Sequence, residues 1–224
     1  MKKLKIGIPT ALYAPTFGLH VNYIEWVAQF GQPILLTPFV DQYHMFDVLF
    51  LPGGADISVN EQSSKLFNVG RSNSHLEWFN KSYFYKCIND EKPIIGICRG
   101  FQAINTNMGG TLRNLYGREL KFHEQNKDED TKNSLVHFVN ITDEEYKTDN
   151  SFNKANDSFN QINVNSIHHQ AIDKLADGFK ILVEYANVIE AIKHEDLPIV
   201  GFQWHPEKIF DEFSKKVVTQ MLKL

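Results

Sequence analysis

The chain has 224 residues, 42% of them hydrophobic and 22% charged, with a formal net charge of −4. That length buries a sizeable core in one large domain or two small ones. The mild acidity speaks against nucleic acid as a partner, and no apolar run approaches the roughly 20 residues that cross a bilayer.

The first predicted element is a strand, "LKIGIPT" (residues 4–10). It is short and broken by Pro9, so it reads as a strand rather than a signal peptide, and the expected compartment is the cytoplasm. "HVNYIEWVAQFG" places Val21, Ile24, Val27 and Ala28 at helical spacing and stops at Gly31. "PILLTPF" and "DVLFLPGG" read as the next two strands, the latter ending in a Pro-Gly-Gly break. A helix is predicted from His75 to Ile88, then the strand "PIIGIC" and a helix from Arg99 to Met108. Near-continuous apolar strands between amphipathic helices imply a parallel sheet covered on both faces.

The second half changes character. "KFHEQNKDEDTKNS" (residues 121–134) is polar and aperiodic, and reads as a loop or lid. "LVHFVNIT", "QINVNSIHH", "FKILVEYA" and "VIEAIKH" are strand-like, the last two forming an antiparallel pair. "PIVGFQWHPE" is a further buried strand and "DEFSKKVVTQMLKL" a C-terminal amphipathic helix. No repeat or linker divides the chain. The expected fold is a single α/β domain over residues 1–224, with a mainly parallel central sheet flanked by helices and an antiparallel extension.

The two cysteines, Cys87 and Cys98, form no CxxC and are expected to be free thiols. Cys87 falls in a helical pattern with Leu76, Phe79, Tyr83, Phe84 and Ile88, so it faces the core. Cys98 sits in "GICRG", a G-x-C-x-G corner between strand and helix. A nucleophile projecting above a sheet needs small neighbours, which Gly96 and Gly100 supply. The helix starting just after it turns its positive end toward the sulfur, a setting that can lower a thiol from about 8.5 to roughly 3.5–7.5. A plain tight turn is the alternative.

A thiolate nucleophile needs a base and the base an orienting group. Among nine histidines, His20, His44 and His123 read as solvated loop residues. His205 and Glu207, in "QWHPE", follow a buried strand and fall on the sheet edge where α/β sites form. Adjacent His168 and His169 point to opposite faces of an extended segment. One is placed to face a pocket, and substrate contact or structure suits them better than catalysis. In "LPGGAD", Gly53 and Gly54 can turn a backbone N–H toward an oxyanion, with the Arg99 N–H as a second donor. No P-loop pattern is present.

Taken in order, "LPGGAD", "PIIGICRGFQAINTNMGGTL", "VNSIHHQAI" and "GFQWHPE" resemble the class I glutamine amidotransferase-like family. The nearest likeness is to its stand-alone γ-glutamyl hydrolase branch (peptidase C26), typified by γ-glutamyl-γ-aminobutyrate hydrolase. The resemblance implies a flavodoxin-like fold and a Cys98–His205–Glu207 triad. It implies an oxyanion hole from Gly54 and Arg99, and a glutamyl contact from Gln102. His168, His169 and Gln170 lie on the expected substrate side. No cofactor and no metal are implied. The chain departs from many relatives at Asn73 and Ser74, where an Arg-Asp pair precedes the glutamate (here Glu77), and after "LPGGADISVN", which lacks a proline and a tyrosine. Both regions shape the leaving-group side, so the leaving group is expected to differ from γ-aminobutyrate.

The expected activity is hydrolysis of a γ-glutamyl amide of a small molecule through a thioester on Cys98. The leaving group is open among an amino acid, a polyamine derivative, a folate-type polyglutamate and a nucleotide-linked amidate. The alternatives are a glutaminase that passes ammonia to a separate synthetase partner, and a non-enzymatic binding protein on the same scaffold. No nucleic-acid or membrane partner is expected. Oligomeric state is open, a homodimer being compatible with the sequence.

Overall fold

The computed structural model describes residues 3–13, 16–57, 74–124, 135, 137–147 and 160–224. In chain order its first half holds β1 (Lys5–Pro9), a hairpin of β2 (Ala11–Tyr13) and β3 (Thr16–Gly18), α1 (Val21–Val27), β4 (Gln32–Leu36) and β5 (Val48–Leu51). It continues with α2 (Ser74–Phe79), a widened π turn at Asn80–Phe84, α3 (Tyr85–Asn89), β6 (Ile94–Ile97), α4 (Arg99–Asn107), β7 (Thr111–Asn114) and α5 (Gly117–His123). The second half holds β8 (His137–Ile141), α6 (Glu144–Lys147), β9 (Gln161–Val164), β10 (Gln170–Lys174), β11 (Phe179–Tyr185), β12 (Val188–His194), β13 (Ile199–Phe202), α7 (Pro206–Ile209) and α8 (Glu212–Leu222).

The main sheet has nine strands in the order β4-β1-β5-β6-β13-β12-β11-β8-β9. The pairs from β4 through β13 are parallel and those from β13 through β9 antiparallel. This is the α/β sheet with an antiparallel extension that the strand patterns predict. The parallel strands are buried on both faces and alternate between two cores. Val48 and Phe50 of β5 join Ile6, Trp26, Ile95, Phe202 and Val217 on one side. Leu49 and Leu51 join Phe79, Phe84, Ile94, Phe101 and Ile104 on the other. A period of two along the strand produces this division. Among the described residues, no helix is long and apolar enough to cross a membrane.

Several boundaries differ from the sequence reading. The predicted helix His75–Ile88 is one continuous helical run from Ser74 to Asn89, interrupted only by the π turn. Lys121–His123 complete α5 instead of opening a loop, and residues 125–134 lie outside the described residues. The strand predicted through His169 stops at Val164, after which the chain turns and makes a single bridge between Ile167 and Glu124. Periodicity does not detect the β7–β10 ribbon or the β2–β3 hairpin, because their strands are too short to establish an alternation.

Candidate active site

The register of two neighbouring strands brings the site together. β6 and β13 pair in parallel with Gly96 opposite Gly201 and Ile97 opposite Phe202. Cys98 is therefore one residue beyond the end of its strand and His205 three beyond the end of the adjacent one, at the same sheet edge.

Cys98 adopts φ 50° and ψ −104°, a conformation that costs a non-glycine residue about 1–3 kcal/mol. It stays tied to the sheet through its N–H, which donates to the Phe202 carbonyl at 2.8 Å. The flanking glycines make the corner feasible. A Cβ on Gly96 would lie 2.6 Å from the Gly100 carbonyl carbon, and one on Gly100 would collide with the Leu51 carbonyl oxygen. Helix α4 can pack this closely on β5 and β6 only without those two side chains.

His205 is held by both its backbone and its ring. Its N–H donates to Asn165 Oδ1 at 2.9 Å, and Asn165 Nδ2 donates back to its carbonyl at 3.1 Å. The ring donates from Nδ1 to Glu207 Oε1 at 2.8 Å. Pro206 begins α7 and sets the short turn that returns Glu207 to the imidazole. The opposite side of the ring reaches the Cys98 thiol. Both groups rest against Gly53, where a Cβ would stand 3.0 Å from His205 Cε1 and 3.6 Å from Cys98 Cβ. Burial disfavours the imidazolium, but the Glu207 carboxylate and the Cys98 sulfur outweigh it and hold His205 up at about 10. Cys98 is 8% exposed and Glu207 1%, so these charges interact with little solvent screening.

A cleft opens beside the sulfur, lined by Gly54, Asp56, Cys98, Arg99, Gln102, Ile167, His168, His169 and Gln170. Every residue singled out for oxyanion or substrate contact is therefore on its wall. The two histidines diverge as their alternation requires. His168 is buried, whereas the half-exposed His169 reaches Asp56 Oδ2 at 3.1 Å. Gln102 is buried, its amide donating to the Gln170 carbonyl at 3.2 Å and to Gln203 Oε1 at 3.1 Å. Of the positions where a departure from the family pattern is expected, Asn73 and residues 58–60 lie outside the described residues, and Ser74 is the first residue of α2.

Cys87 is fully buried as its helical spacing predicts, and burial pushes its thiol up to about 12. His123 corrects the sequence reading. It closes α5 at 1% exposure and packs against Glu190, so it is not a solvated loop residue. Its immediate surroundings in the sequence are polar, and only the fold of distant segments covers it.

Sequence reasoning also missed three supporting residues. Tyr23 of α1 accepts the Gly53 N–H at 3.1 Å. Burial, then the charges of Glu207 and Cys98, raise its phenol well above the usual range, so it stays protonated. Asn165 was visible within "VNSIHHQ", but nothing local pointed it at His205. Asp211 caps α8 by accepting from the Ser214 N–H at 2.7 Å, and also holds the Trp204 indole at 3.1 Å next to His205.

The family model described as Peptidase C26 matches residues 17–207. The glutamine amidotransferase-like protein YvdE of Lactococcus lactis is 25% identical, the match covering 88% of this chain and 84% of that one. A glutamine-hydrolyzing GMP synthase component of Thermococcus kodakarensis is 32% identical over 59% of this chain and 60% of its own. Among solved structures, a protein assigned as a GMP synthase component from Thermoplasma acidophilum superposes with a TM-score of 0.65 at 19% identity, covering 100% of this chain and 94% of that one. At that identity the superposition speaks for the fold alone.

Proposed function

The chain belongs to the peptidase C26 family, within the glutamine amidotransferase class of cysteine-type amide hydrolases, and we propose that its substrate is a γ-glutamyl amide of a small molecule. The observation that carries this reading is the linked contact of Cys98, His205 and Glu207 at one sheet edge, with the imidazole bonded to the carboxylate at 2.8 Å. In the proposed reaction the Cys98 sulfur attacks the γ-carbonyl carbon. The oxyanion is met by the backbone N–H groups of Gly54 and Arg99. The C–N bond then breaks as His205 gives its proton to the departing amine, leaving a γ-glutamyl thioester. Water attacks the thioester, His205 takes a proton from it, and glutamate leaves as the sulfur is released. The cleft beside the sulfur suits the glutamyl head group, since the Asp56 carboxylate and the His169 imidazole at its rim offer polar contacts to an amino acid's α-substituents.

The test is incubation of the purified chain with a panel of γ-glutamyl amides, with glutamate release as readout. Alkylation by an electrophilic glutamine analogue, mapped by mass spectrometry, runs alongside. Release by the chain alone with label on Cys98 is expected. Label elsewhere, or none, overturns the reading. The relative named as a GMP synthase component favours one second reading: a glutaminase that supplies ammonia to a separate synthetase. That reading predicts labelling of Cys98 but turnover only when the synthetase is present.

A further inference from the structure

Behind the cleft wall, four segments send one side chain each to a single buried point. Glu190 of β12 is fully buried. His123 Nδ1, at the end of α5, stands 3.1 Å from Glu190 Oε1. His168 Nε2 is 3.6 Å from the same oxygen, and His137 Nε2, on the first residue of β8, is 4.0 Å from it. No residue of the group is more than 6% exposed. Yet these three ring nitrogens and both Glu190 oxygens lack a well-directed hydrogen bond.

The remaining ring atoms show what is missing. His137 Nδ1 lies 3.2 Å from the Phe122 carbonyl, and His168 Nδ1 lies 2.9 Å from the Gln170 carbonyl. A carbonyl oxygen only accepts, so each Nδ1 carries its proton and donates. In the neutral ring, Nε2 then presents a lone pair to a carboxylate that also only accepts. Two acceptors face each other in a dry site, and a positive charge between them removes the conflict. A neutral imidazole and an ionised carboxylate are the forms a metal ion takes up.

We propose that His123, His137 and Glu190, whose ligand atoms lie within 4.8 Å of one another, form a site for one divalent transition metal, zinc or an ion of similar preference, with His168 Nε2 beside Glu190 at 3.6 Å. Two imidazoles, one carboxylate and no thiolate suit zinc and its borderline neighbours. Donors about 2.0–2.1 Å from a tetrahedral ion stand roughly 3.3 Å apart, and Glu190 Oε1 lies 3.1 Å from His123 Nδ1 and 4.0 Å from His137 Nε2. The backbone carbonyl behind His137 is the kind of outer partner that orients a metal-bound imidazole. A cleft lined by Arg118, Glu119, Phe122, His123 and Tyr185 provides an approach from solvent. The group is buried and separate from Cys98, His205 and Glu207, so the role is structural. The ion would hold Glu190 in place beside His168, and through the Gln170 carbonyl that His168 shares with Gln102 it would steady one wall of the active-site cleft.

The experiment uses the whole purified chain, stripped with a chelator and titrated with Co²⁺. One equivalent is expected, with the intense visible bands of four-coordinate cobalt, and Zn²⁺ should displace it. Glu190→Gln and His137→Gln should each weaken binding by at least about 10- to 100-fold. Cys98→Ser should leave the stoichiometry unchanged, which separates this site from casual binding at the nucleophile. Loss of the cobalt spectrum in Cys98→Ser, or no saturable cobalt binding by the parent chain, overturns the proposal. If either cluster variant fails to fold, the parent chain decides. A rise in its melting temperature with one equivalent of Zn²⁺ supports the site, and no rise refutes it.

Discussion

Glu207→Gln removes one negative charge from the His205 ring and leaves the shape of the site almost intact. The step from an ordinary imidazole at 6.5 to about 10 corresponds to at most about 5 kcal/mol in favour of the imidazolium. Glu207 and Cys98 share that preference, so the carboxylate's part is roughly 2–3 kcal/mol. Losing it should lower kcat/KM about 30- to 150-fold through charge alone. The loss should approach about 10⁴-fold if the new amide turns its NH₂ to the ring and shifts the ring proton to the nitrogen facing the sulfur. The assay is hydrolysis of γ-glutamyl-p-nitroanilide from acid to strongly alkaline pH. In the parent chain the alkaline limb should fall near pH 10, and in the variant it should move toward an ordinary imidazole value. Folding stability carries the same signature. The folded-state value of His205 lies above its unfolded value, so its contribution is complete below pH 6.5 and disappears as pH rises to about 10. Urea midpoints across that window should decline in the parent chain and flatten in the variant. A variant within threefold of parental kcat/KM, with an unmoved limb, would refute the reasoning.

Cys98→Ala should abolish turnover. Cys87→Ala should keep it at a cost of about 1 kcal/mol, read as a 2–4 °C fall in Tm; equal loss in both would defeat the assignment of the nucleophile. Gly100→Ala drives a methyl into the Leu51 carbonyl. It should cost about 3 kcal/mol or more, a Tm drop of roughly 6–12 °C by calorimetry, and an unchanged Tm would show that the α4–β5 approach is slack. Asp211→Ala removes a helix cap and the acceptor of a buried indole N–H. The expected loss is about 2–3 kcal/mol in urea unfolding, with kcat falling because Trp204 adjoins His205; no change in urea midpoint would contradict this.

Sequence alone revealed the parts of the site that are local. Cys98 announces itself because a strand, two glycines and a helix start must be contiguous for such a corner to exist. His205 and Glu207 are readable for the same reason, two residues apart beside a strand end. Their meeting with Cys98 was an inference about adjacent strands, and the β6–β13 register supplies it. The cluster around Glu190 has no such local mark. Its members come from a helix end, a strand start, a turn and a central strand, and their approach depends on how the antiparallel strands and α5 pack. His123 looked solvated because its neighbours in sequence are polar, whereas its burial comes from residues far along the chain.

The π turn at Asn80–Phe84 makes the α2–α3 rod tolerant of length. An ordinary α-helix advances 100° per residue, so adding one residue would swing everything beyond it off the core. Here the surplus is absorbed in a single wide turn, and Phe79, Tyr83, Phe84 and Cys87 all remain inside. Shortening this turn by one residue would restore a regular spiral and leave Cys87 and the approach to β6 in their seats. The irregular coil is thus the chain's phase corrector, keeping the strand that carries Cys98 aligned with the rest of the sheet.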